Sequence, residues 1–127
     1  MFHYTVDSQK SMDEAISAIE EVLKEEKFGV LWRFNIKEKL QEKGVELDKD
    51  FVVLEVCNPY EAKRVLSENS LVGYFLPCKI VIYEEESVTK IGMPKPSALI
   101  SMVPSDNLAE IAKDIENRLI NCLEKAK

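Results

Sequence analysis

Apolar and polar positions along the chain follow two periods, and the period changes at punctuated places. Phe2 to Val6 alternates weakly, which predicts a short strand. From Met12 the spacing becomes helical. Met12, Ile16, Ile19 and Leu23 recur on one face, Ala15 and Val22 widen the stripe, and Glu20, Glu21, Lys24, Glu25 and Glu26 are left for water. Ser11-Met12-Asp13-Glu14 has the form of a capping box: the Ser11 hydroxyl accepts from the Glu14 backbone N–H, and the Glu14 carboxylate reaches back. Alternation returns at Phe28-Gly29-Val30-Leu31-Trp32-Arg33-Phe34, where a regular strand sets Phe28, Val30, Trp32 and Phe34 on one face, most of these aromatics in the core.

Asn35 with Glu38 resembles a second cap, opening a short helix that Gly44 ends. Phe51 to Cys57 is dense in β-branched residues and predicts another strand. It stops at Asn58-Pro59, an N-cap followed by proline in the first helical position, and the helix runs to Glu68 with Ala62, Val65 and Leu66 inward. Leu71 to Pro77 is irregular, because Gly73 and Pro77 both resist a central strand. Cys78 to Tyr83 is a strand, Glu84-Glu85-Glu86-Ser87 offers a turn, and Val88 to Gly92 returns as the hairpin partner until Pro94 and Pro96 end it. Ser105 caps a last helix whose stripe is Leu108, Ile111, Ala112, Ile115, Leu119, Cys122 and Leu123. The order is β-α-β-α-β-α-β-β-α, an α+β pattern, and the hairpin requires at least one antiparallel pair.

Composition narrows the class. The 127 residues are 46% apolar and 31% charged, which suits a single domain over residues 1–127 whose core forms without disulfides or metal. The net charge of −6 repels phosphate backbones. Lys37, Lys39 and Lys43 are interleaved with Glu38 and Glu42, so they read as a solvated helix, and nucleic acid is not expected as a partner. No stretch approaches a membrane span. The opening Met1-Phe2-His3-Tyr4 lacks a basic region followed by an apolar one, and three cysteines make no disulfide framework. The expectation is a cytoplasmic protein with free thiols and no membrane partner.

Two segments carry a family resemblance: Cys57-Asn58-Pro59, and Leu76-Pro77-Cys78-Lys79-Ile80-Val81-Ile82-Tyr83-Glu84. With Phe28-Gly29-Val30 before a strand, and in this order and spacing over nearly the whole chain, they resemble the family of domain of unknown function 302. One departure is Lys79, where the resemblance leads one to expect asparagine. The resemblance implies a fold similar to TATA-box-binding-protein-like domains: a predominantly antiparallel sheet with helices packed on one face, often in a homodimer. It implies no activity.

The cysteines offer the most definite chemistry. Cys57 directly precedes a helix N-cap, where the positive end of the helix dipole lowers a thiol pKa. If its strand pairs antiparallel with the one that begins at Cys78, the two thiols share one end of the sheet, with Asn58 able to orient either sulfur. One cysteine would attack and the other resolve. The plainer reading makes both of them small packing residues at strand ends, as Cys122 is on its helix. His3, the only histidine, has no partners for catalysis or metal, and the cysteines lack zinc-like spacing, so neither metal nor cofactor is expected. Glu55 is expected on the sheet's exposed face, and Glu84, Glu85 and Glu86 in solvent. Four unclustered glycines make no phosphate loop. Tyr74-Phe75, between Gly73 and Pro77, is the best candidate for a pocket rim or a dimer contact. With no complete catalytic constellation, the favoured reading is a homodimeric module binding a small ligand or a protein. Its candidate site is Asn58, Pro59, Tyr74, Phe75 and Pro77, near the Cys-Asn-Pro and Leu-Pro-Cys segments. The alternative is a redox or sulfur-handling protein using Cys57 and Cys78.

Overall fold

The computed structural model describes all 127 residues. Its strands are β1 (His3–Ser8), β2 (Gly29–Asn35), β3 (Phe51–Cys57), β4 (Cys78–Glu85) and β5 (Val88–Pro94). The helices are α1 (Met12–Glu25), α2 (Ile36–Glu42), α3 (Pro59–Glu68), α4 (Pro96–Ile100) and α5 (Asp106–Ala126). The strands form one sheet in the order β1-β5-β4-β3-β2, and every neighbouring pair is antiparallel. The chain thus has the α+β, antiparallel architecture and the order of elements that its sequence pattern and its family resemblance predict.

Local chemistry explains the boundaries. The capping box at Ser11 is complete: Glu14 N–H donates to Ser11 Oγ and Ser11 N–H to Glu14 Oε1. Asn35, Asn58 and Ser105 cap α2, α3 and α5 through their side chains. Gly44 just beyond α2 has φ 76°, a conformation that glycine adopts without strain. The β4–β5 hairpin pairs Glu85 with Val88, so Glu86 and Ser87 are its two loop residues. Both have positive φ, 51° and 67°, as a type I′ turn requires.

Alternation divides each strand between two faces. The inward positions, Val6, Val52, Leu54, Val56, Ile80, Ile82, Ile91 and Met93, join buried residues of α1, α3, α4 and α5 in one core. Helix α2 buries no residue. The outward positions contribute nothing to that core, so one face of the sheet is open.

Four expectations change on folding. The register of β2 shifts between Val30 and Trp32, and this bulge reverses the inside–outside order. Phe28 and Val30 stay on the core side, whereas Trp32 and Phe34 move to the open face, where Trp32 is 54% exposed. Leu66 turns outward and only Val65 of its helix's apolar group is fully buried. The irregular stretch before β4 holds a 3-10 turn over Ser70–Phe75, and Pro96 opens the short α4 rather than merely ending β5.

Candidate functional site

Val56 of β3 stands opposite Cys78 of β4, so the Cys57-Asn58-Pro59 corner and the Leu76-Pro77-Cys78 entry meet at one end of the sheet. The corner is rigidly held. Asn58 is buried; its Oδ1 accepts from the N–H groups of Tyr60 and Glu61 at 3.0 and 3.3 Å, and its Nδ2 donates to the Glu26 carbonyl at 3.4 Å. The amide is committed to the start of α3 and the end of α1, and neither sulfur is among its partners. The expected orientation of a thiol by Asn58 therefore gives way to capping. Behind it, the buried Glu61 carboxylate accepts from Arg64 at 2.6 Å and from Arg118 at 3.0 Å. Arg118 also binds Glu26, and its guanidinium lies 5.3 Å from the Phe28 ring centre. This network pins α3 to α5 and to the end of α1.

A cavity of about 300 Å³ opens beside the start of β4. Val72, Phe75 and Leu76 form one wall and Leu99 and Ile100 of α4 another, with the fully buried Leu119 of α5 behind them. Pro77 and Cys78 line it as well, and Tyr74, 84% exposed, stands at its rim. The charged part of the lining is an ion pair, Lys79 Nζ to Glu55 Oε1 at 3.2 Å. Glu55 thus lies on the outward side of β3, as expected, and is paired.

Four of the predicted site residues converge here: Tyr74, Phe75, Pro77 and Cys78. Cys57 and Asn58 do not. They line a separate void of about 40 Å³, room for about one water, and Leu76, Cys78, Pro96 and Ile100 form the partition shared by both spaces. Pro59 is exposed and lines neither. Sequence reasoning missed Val72, Leu99 and Ile100. The one signal for the second wall is Pro94-Lys95-Pro96, where the chain leaves the sheet and turns into α4, with both prolines lining the cavity.

The electrostatics at Cys78 and Cys122 disfavour the thiolate. Burial, with a smaller contribution from the neighbouring Cys57, pushes the Cys78 thiol up to about 11. At neutral pH only about one in ten thousand such groups is a thiolate. Burial likewise raises Cys122 to about 11. No disulfide links the three cysteines. His3 Nδ1 lies 3.0 Å from Thr5 Oγ1, and no three His, Cys, Asp or Glu residues are grouped to hold a metal ion. No helix is long and apolar enough to cross a membrane.

The model of the family described as domain of unknown function DUF302 matches residues 4–126. The chain belongs to the DUF302 family. Among solved structures, an uncharacterized conserved DUF302 protein from Bacillus stearothermophilus is 59% identical, with a TM-score of 0.97 over 100% of this chain and 99% of that one. A search of the curated proteins finds no match. Within this DUF302 chain the two motif segments do different work: Cys57-Asn58-Pro59 builds a helix start, and Leu76-Pro77-Cys78 lines the cavity. Lys79, the departure from the expected asparagine, supplies the cation that neutralises Glu55 at the cavity.

Proposed function

We propose that this protein is a small-molecule-binding module that works as a homodimer, its ligand an apolar compound seated in the cavity beside β4. The observation that carries the reading is the cavity itself. It is about 300 Å³, at the lower end of ligand-pocket sizes, and is walled by Val72, Phe75, Leu76, Leu99 and Leu119 with one neutralised ion pair. A wall of this chemistry gains from displacing poorly held water with apolar surface. Three cysteines with no disulfide among them fit a reducing compartment, and we place the module in the cytoplasm.

The test is titration with 1-naphthol, indole and octanoate, followed by ligand-observed NMR saturation transfer. At least one probe is expected to bind saturably, one per chain. Leu99→Trp, which fills the cavity from its half-buried wall, should abolish that binding while leaving the circular dichroism spectrum unchanged. If no probe binds saturably, or if binding survives Leu99→Trp, the reading fails.

A further inference from the structure

Resting on the self-association just proposed, we infer that the open face of the sheet is where a second copy of this chain docks. The strand register lays the outward side chains in rows. The middle row crosses β2, β3 and β4 as Phe34, Val53 and Val81, and continues to Gly92 and Thr5. None of these apolar side chains joins or packs against the core. On either side of the row, Trp32 stacks on Phe34 and Phe51 on Tyr83, each pair with ring centres 5.2 Å apart. Gly92 keeps the row low: a Cβ there would stand 2.7 Å from Thr5 Oγ1.

Two features choose the occupant. The first is charge. The ion pairs within this face, Glu55 with Lys79 at 3.2 Å and Asp7 with Lys90 at 2.6 Å, each cancel. The chain as a whole carries −6. A strongly charged partner finds nothing to recognise on a neutral apolar row, whereas a second copy, repelled elsewhere, meets least repulsion here. The second is area. Five strands spaced by about 4.8 Å, with six to eight residues at about 3.3 Å each, span roughly 24 by 23 Å. Two such faces remove on the order of 1,000 Å² in all, the threshold for a specific interface. Face-to-face packing of two sheets is a standard way to bury such rows.

Trp32 is the chain's only tryptophan and sits on this face, so the wild-type protein reports on the question directly. Sedimentation and acrylamide quenching of Trp32 are followed together from about 1 to about 100 μM protein. The expected result is a mass rising from 14.5 kDa to twice that value, with Trp32 emission shifting to the blue and its quenching falling along the same curve. Val53→Lys, with an unchanged circular dichroism spectrum, should weaken the dimer at least about thirtyfold, as loss of a central apolar contact does. If the mass doubles while Trp32 stays fully quenchable, or if Val53→Lys still dimerises normally, another surface makes the dimer and only the assignment of this face is overturned. If the chain stays monomeric throughout, the face and the proposed self-association fail together. If Trp32 becomes protected only when another protein is added, the occupant is that protein and the inference is wrong.

Discussion

Glu116 shows how a single buried charge holds the wall of the cavity in place. It is 1% exposed on α5, and its Oε1 accepts from the backbone N–H and the hydroxyl of Ser97 at 3.1 and 2.6 Å, while Lys113 binds its other oxygen at 3.0 Å. It therefore fixes the first turn of α4, the element that carries Leu99 and Ile100. Burial alone would raise its pKa, but the Ser97 hydroxyl, Lys113 and the Ser97 N–H together outweigh burial and hold it below 4.5. A carboxyl whose folded pKa is depressed adds stability above its unfolded value, and loses it as pH falls through the folded value. Glu116→Gln should therefore lower stability at pH 7 by about 1–2 kcal/mol, the difference between charged and neutral hydrogen bonds. Urea melts should show the gap between wild type and variant closing as pH falls below about 4.5. A gap that stays constant down to pH 3 would mean that the carboxylate charge contributes nothing.

At the scale of elements, the β4–β5 hairpin makes a choice that its own residues resist. A type I′ turn favours Asn-Gly, yet Glu86 and Ser87 occupy it with φ of 51° and 67°. Placing a non-glycine residue there costs on the order of 1 kcal/mol. Ser87→Gly should remove most of that strain and stabilise the fold by a net gain of about 0.5 kcal/mol or less, since the freedom glycine adds to the unfolded chain offsets part of the gain. Urea denaturation with an unchanged slope is the check, and a destabilised variant would refute the strain argument. The hairpin was nevertheless legible from sequence, because a run of charge between two alternating segments leaves few other readings. Caps were legible for the same local reason: Ser11, Asn35, Asn58 and Ser105 each carry the acceptor that a helix start needs. The β2 bulge was not. Phe28 to Phe34 alternates without a glycine or proline at Leu31 to mark the slip, and only pairing with β3 shows that Trp32 opposes Glu55. The cavity was half legible. Tyr74, Phe75, Pro77 and Cys78 are neighbours in sequence beside a recognisable motif. Leu99 and Leu119 reach the same space from distant segments, which no local pattern connects.

For the molecule as a whole, charge and shape pull apart, and the conflict is measurable. Two chains of −6 repel at long range, while the face assigned to self-association carries only internally cancelled ion pairs. Cations drawn from solution therefore weaken the repulsion and remove no attraction between the copies, because no charge on one face needs a counterpart on the other. The dimer should tighten with salt, its dissociation constant falling by about three- to tenfold between roughly 20 and 300 mM sodium chloride, over which the screening length shrinks from about 20 Å to about 6 Å. An interface built on complementary surface charges behaves in the opposite way and loosens as salt rises. Sedimentation equilibrium across that salt range separates the two. A constant that rises with salt would place the contact on charged surface such as α2, with its Lys39 and Glu42, and away from the aromatic row. A constant that falls is what a neutral, apolar sheet face on an acidic protein requires.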